Sequence, residues 1–178
     1  YLYTGDLGFM SKEGLLYVKG RFKSLLISSD GEKYSPEGIE EALVEKSPYI
    51  DQVMLYNNQC TTTTALIVPN RDSLRRYLKE KGMKAESVEG RTTALQLIEN
   101  ELARFKKGGE FKGMFPERWL PSSFAVLAEP FTEQNQMINS TMKMVRPKIE
   151  KAYKERIDYI YTSEGKATLN QQNIDSIF

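Results

Sequence analysis

Histidine is absent from all 178 residues, and with it go the imidazole triads, the usual proton shuttles and most zinc sites. The one cysteine, Cys60, cannot close an internal disulfide, which points to a reducing, cytoplasmic setting. Neither sign of charge is in excess. With 25 basic and 24 acidic residues the net charge is +1, which gives no footprint for nucleic acid and little attraction to anionic lipid. No apolar run approaches the roughly 20 residues that span a bilayer. An initiating methionine is missing too. The chain opens on Tyr1 in an aromatic, strand-like stretch, and is therefore expected to be an excised piece of a longer protein. What remains for chemistry is Lys, Arg, Asp and Glu, on a chain long enough for one hydrophobic core.

Phe9-Met10 and the run 15–18 flank Ser11-Lys12-Glu13-Gly14, which predicts a hairpin that Lys19-Gly20-Arg21 then breaks. Leu25-Leu26-Ile27 reads as a strand ending in the turn-forming cluster Ser28-Ser29-Asp30-Gly31. Ser35-Pro36 predicts a capped helix start, with Ile39, Ala42 and Leu43 as its apolar stripe. Gly38 inside that helix weakens it by up to about 1 kcal/mol. The β-branched segments 50–56 and 62–68 predict an antiparallel pair joined by an Asn57-Asn58-Gln59 turn.

Asn70 is placed to cap a helix through Leu74 and Leu78 that stops at Gly82. A longer helix carries Leu95, Ile98, Leu102 and Phe105 and stops at Gly108-Gly109. Segment 123–127 reads as a strand. Val145, Ile149, Tyr153, Ile157 and Ile160 mark one last helix, with Pro147 in its first turn. The polar segment 163–178 is expected to be a frayed end or to dock on something absent. Strands and helices mix without regular βαβ alternation, so the fold class is α+β: a small mixed or antiparallel sheet with flanking helices, preceded by a β-hairpin.

Three polar islands fall at element edges: Tyr3-Thr4-Gly5-Asp6-Leu7, Gly20-Arg21-Phe22-Lys23 and Asn139-Ser140-Thr141-Met142-Lys143. Taken singly, each has a bland reading. Thr4-Gly5-Asp6 is a turn held by the aspartate side chain, Arg21 and Lys23 are a solvated pair, and Lys143 is one surface lysine of many. Each also has a chemical one. A carboxylate beside a glycine can accept from a ribose diol, an arginine fork suits phosphate or ribose oxygens, and a residue after a glycine can absorb backbone rotation.

The stretch YTGDLGFMSKEGLLYVKGRFKSLLISSDGEKYSPEGIEEAL resembles the domain-junction segment of adenylate-forming (AMP-binding) enzymes. Downstream, FAVLAEPFTEQNQMINSTMKMVRPKIEKAY resembles the carboxy-terminal lysine motif of their long-chain fatty acid:CoA ligase branch. The resemblance runs from about residue 1 to residue 161, loosely over 81–120. It implies that 1–22 close a large adenylation domain and its junction hairpin, 23–162 form the C-terminal lid domain, and 163–178 are a tail. Its residue roles follow position by position. Asp6 matches the aspartate that binds the ribose of ATP, and Arg21 an arginine on the same nucleotide. Lys23 matches the hinge, Gly31 the glycine past which the pantetheine of CoA runs, and Lys143 the lysine needed for adenylation.

Departures are Ser24 where many relatives have aspartate, Met142 where many have glycine, and Gly38-Ile39-Glu40 in place of Glu-Ile-Glu. The implied substrates are ATP, a fatty acid and CoA. Mg2+ and triphosphate are held upstream by the N-terminal adenylation domain, and membrane contact is at most peripheral, through the parent protein. The alternatives are a lid for an acyl-AMP or acyl-carrier-protein ligase, and a non-catalytic interaction module of the same fold. Retention of Lys143 with Arg21 disfavours the last.

Overall fold

The computed structural model describes residues 4–21 and 24–178, and at positions 7 and 19–21 the backbone alone. The expected hairpin is present. Strand β1 (Asp6–Met10) pairs antiparallel with β2 (Leu16–Arg21). Gly14 turns the chain with φ of 83°. The predicted break at Lys19-Gly20-Arg21 is not there: the ladder runs on until Arg21 faces Asp6. A shift of register between Leu7 and Gly8 absorbs the extra residue as a bulge. Gly8 permits this close passage, since a Cβ there would lie 2.6 Å from the Tyr17 carbonyl oxygen. Phe9 and Tyr17 stack across the strands with centroids 5.0 Å apart, while Met10 and Leu16 are exposed.

Two further sheets form the body. One has the order β4 (Lys33–Tyr34), β3 (Leu26–Ser28), β6 (Asn58–Cys60). The other runs β5 (Ile50–Tyr56), β7 (Thr64–Pro69), β8 (Ser123–Val126), with β7 antiparallel to β5 and parallel to β8. Because strand side chains alternate, β5 and β7 feed two cores. Val53, Leu55, Ala65 and Ile67 face one, and Met54, Leu66 and Val68 the other. On the first face lie helices α1 (Glu37–Glu45), α2 (Arg71–Glu80) and α3 (Val88–Ala103), through Leu43, Leu78 and Leu95 among others. On the second lie α4 (Arg146–Ala152) and α5 (Lys154–Ile160), through Ile149 and Ile157. All of β7 is buried, as a central strand covered on both faces must be. The mixed sheets with flanking helices agree with the α+β expectation.

Several elements differ from the sequence reading. Asn57-Asn58-Gln59 is no simple turn, because β6 pairs parallel with β3 there. Asn57 is buried instead: its side-chain oxygen accepts from Cys60 N at 2.9 Å, and its amide nitrogen donates to Tyr34 OH at 3.3 Å. At the start of α1, Pro36 already has helical angles. Its carbonyl accepts from the N–H groups of Ile39 and Glu40, and no side chain caps the helix at Pro36. The expected last helix is two. Tyr153 (φ −108°, ψ 22°) turns the chain between α4 and α5, with its ring edge-on to Phe131, so both helices reach the same core.

The tail is not frayed, and part of it docks on the chain itself. Helix α6 (Gln171–Ser176) packs on this chain's own β8 and α3. Its Asn173 is fully buried: the side-chain oxygen accepts from Val126 N (2.9 Å) and Arg156 Nη2 (2.7 Å), and the amide donates to Phe124 O (3.2 Å). A polar residue thus satisfies the backbone of the outer strand β8, a need that hydrophobic patterning does not reveal.

Candidate functional site

The third polar island is a tight, closed loop. Ile138, buried in the second core, and Met144 bridge its base, and the side-chain oxygen of Asn139 gathers its tip. That oxygen accepts from Thr141 N (3.0 Å), Thr141 Oγ1 (2.8 Å) and Lys143 N (2.9 Å). Asn139 N in turn donates to Lys143 O at 3.0 Å. Met142 sits at φ 59°, a left-handed conformation that costs a side-chain-bearing residue about 1–2 kcal/mol. This is the position where many members of the resembled family carry glycine. Lys143 is exposed.

Just past the loop, Arg146 is held in the interior. Its guanidinium pairs with the Glu40 carboxylate and donates to Leu55 O at 3.2 Å, while Glu40 accepts from Leu55 N at 2.6 Å. The two side chains are 11% and 5% exposed, so this is a buried ion pair joining α1, β5 and the base of the lysine loop. Burial pushes the Glu40 carboxyl above its ordinary value, and the Arg146 guanidinium and the Leu55 N–H pull against that rise. Between α1 and the loop lies a cleft of about 610 Å³ whose lining includes Ser24, Glu37, Glu41, Val53, Asn139 and Lys143.

The Gly31 loop is built differently. Asp30 Oδ1 accepts from Ser28 Oγ (2.5 Å) and Glu32 N (3.1 Å), and Gly31 N donates to Ser28 O (2.9 Å). Arg118, from a short 3-10 helix at Glu117–Trp119, forks onto the Glu32 carboxylate, with Nη2 to Oε1 at 2.5 Å. The bond from Ser28 holds the Asp30 carboxyl below its ordinary value, and the bond from Arg118 does the same for Glu32. Gly31 has φ of 82°, yet a Cβ added to it would meet nothing within 4 Å. Glycine is required here by backbone angle and not by crowding within this chain.

At the hairpin end, Gly5 has φ of 78° and Asp6 N donates to Thr4 Oγ1 at 3.2 Å. Asp6 and Arg21 are opposite partners in the ladder, which brings these two sequence candidates to one spot on the backbone. Lys23 lies outside the described residues. Asp6 is not among the described residues lining the Lys143 cleft. Among the described residues no cluster of Cys, Asp or Glu is arranged to hold a metal ion, so the residues present do not fit an Mg2+ site.

Sequence reasoning named Asn139 within the third island and Glu40 among the departures without giving either a role, and missed Arg146 and the Arg118–Glu32 fork. Asn139 was signalled by an Asx-turn residue shortly before Lys143, and Glu40 by an acid beside the apolar stripe of α1. Nothing in the sequence joins Arg118 to Glu32, which are brought together only by the fold.

No protein-family model matches the chain. It is 28% identical over 169 residues to long chain acyl-CoA synthetase 8 of Arabidopsis thaliana, covering 90% of this chain and 22% of that protein. It is 26% identical over 196 residues to the long-chain-fatty-acid–CoA ligase ACSBG2 of Gallus gallus, covering 99% of this chain and 25% of that one. The chain therefore spans about a quarter of the length of these curated relatives. Among solved structures, the adenylation domain of a carboxylate reductase from Mycobacterium chelonae superposes with a TM-score of 0.70 at 26% identity, over 89% of this chain and 22% of that chain.

Proposed function

We propose that this chain is the C-terminal part of an adenylate-forming enzyme of the long-chain acyl-CoA synthetase family, and that it is the lid of an ATP-dependent fatty acid:CoA ligase; the likeness to long-chain acyl-CoA synthetases and to a reductase adenylation domain supports this. The observation that carries the reading is the position of Lys143: an exposed ammonium on a short loop fixed at its base by the buried Arg146–Glu40 pair.

In the first half-reaction a carboxylate oxygen attacks the α-phosphorus of ATP and pyrophosphate leaves. Two anions must meet, and an ammonium presented between them offsets the repulsion and stabilises the developing charge. Asp6 and Arg21, paired at the hairpin, are assigned to the ribose and its nucleotide. In the second half-reaction the CoA thiol attacks the acyl carbon and AMP leaves. For that step the lid turns about Lys23, withdraws Lys143 and offers the Gly31 loop. The open space around Gly31 supports this assignment, because pantetheine can pass where no side chain stands. Mg2+ in this reading rests on residues outside the chain. The chain alone is inactive, since the phosphate-binding loop and acyl pocket lie elsewhere.

A second reading keeps the adenylation and changes the acceptor to a carrier-protein thiol. It is favoured by the structural likeness to a reductase adenylation domain. Incubating the full-length protein with ATP, fatty acids of graded length and either CoA or a phosphopantetheinylated carrier separates the two. Acyl-CoA formation supports the ligase, acyl-carrier formation alone supports the second reading, and pyrophosphate release with neither acid nor acceptor dependence contradicts both.

A further inference from the structure

A catalytic ammonium on a surface loop is useful only if the loop holds one shape, and a single side chain sets the shape of this one. We infer that Asn139 is a positioning residue for Lys143, fixing the backbone from which the ammonium reaches the reacting anions. The inference rests on the reading of Lys143 given above.

Both peptide groups of Lys143 end on Asn139: Lys143 N donates to Asn139 Oδ1 at 2.9 Å, and Lys143 O accepts from Asn139 N at 3.0 Å. The same Oδ1 takes the N–H and the hydroxyl of Thr141, and Asn139 O accepts from Met142 N at 2.9 Å. These bonds force the left-handed Met142, which would otherwise relax. Asn139 is exposed, so it fills no core, and it lines the same cleft as Lys143. Its hydrogen bonds therefore serve the local geometry of the lysine and contribute little to global packing. Loss of the carboxamide frees the Thr141 and Lys143 N–H groups to bond water, and the loop then samples many shapes.

The test uses the full-length enzyme and its two half-reactions. For Asn139→Ala, kcat of acyl-adenylate formation is expected to fall about 10- to 100-fold, as a misplaced reacting group does, with KM for ATP within about two-fold. Thioester formation from supplied acyl adenylate stays at its wild-type rate. Asn139→Asp keeps an acceptor oxygen at the same reach and restores adenylation to within about five-fold of wild type. Asn139→Ala added to Lys143→Ala lowers the rate no further, because the residue acts through the lysine.

Equal loss in both half-reactions, or a further loss in the double variant, overturns the positioning role. A dead Lys143→Ala beside an unimpaired Asn139→Ala overturns this inference alone. Full adenylation by Lys143→Ala overturns the reading beneath it.

Discussion

At the scale of single residues, Gly31 separates conformation from function. Its φ of 82° makes any side chain unfavourable by about 1–2 kcal/mol, while the space around it is open. Gly31→Ala should thus lower stability by about that amount in urea unfolding and leave acyl-adenylate formation intact. Thioester formation should be the impaired step, and equal rates for both steps would remove Gly31 from the CoA path. The neighbouring carboxyls add a pH dependence. Asp30 and Glu32 are held below their ordinary values of 3.8 and 4.5, so the folded loop binds fewer protons than the unfolded chain. Their contribution is complete above those ordinary values and is lost as pH falls below them through the folded ones. The Gly31 amide, followed by NMR on acid titration, should be unchanged from neutral pH down past those ordinary values and shift only below them. A Gly31 transition at or above those ordinary values would contradict the arrangement.

At the scale of elements, the lysine loop is coupled to α1 and β5 by one buried ion pair, and the consequences of cutting it are asymmetric. Arg146→Ala leaves Glu40 buried with only Leu55 N–H, and breaking such a pair on one side costs about 3–5 kcal/mol. Arg146→Met together with Glu40→Gln should recover much of that loss, since neither charge is then stranded. Chemical denaturation of the two variants decides it, and equal destabilisation would show that packing and not charge governs the site. Periodicity revealed that α1 exists and that Ile39 and Leu43 face inward. It could not show that Glu40 is buried too, because the partner lies far along the chain at Arg146. The Asn70 cap of α2 and the glycine at its end were legible for the opposite reason: each is settled within a few residues.

For the molecule as a whole, the antiparallel pairing of β5 with β7 was written in their β-branched, apolar segments, but the two cores they feed and the closure of the outer strand were not. Polar residues in 163–178 looked like a tail, yet α6 uses Asn173 to satisfy β8 and Arg156 together. Asn173→Ala strands Val126 N–H and Phe124 O in the interior and should destabilise the whole domain by about 2–4 kcal/mol, in one cooperative transition. A local, non-cooperative loss at the C-terminus would mean that α6 is an appendage. Likewise the hairpin pairing of Asp6 with Arg21 was not foreseen, since Lys19-Gly20-Arg21 read as a strand break, and the bulge that produces it depends on the close approach of Gly8 to Tyr17.

In the proposed ligase, Lys143 serves adenylation and not thioester formation. ATP–pyrophosphate exchange by full-length Lys143→Ala tests it most directly, with thioester synthesis from supplied acyl adenylate measured on the same preparation. Exchange should fall about 100- to 1000-fold while thioester synthesis continues at close to the wild-type rate. Normal exchange in that variant would contradict it.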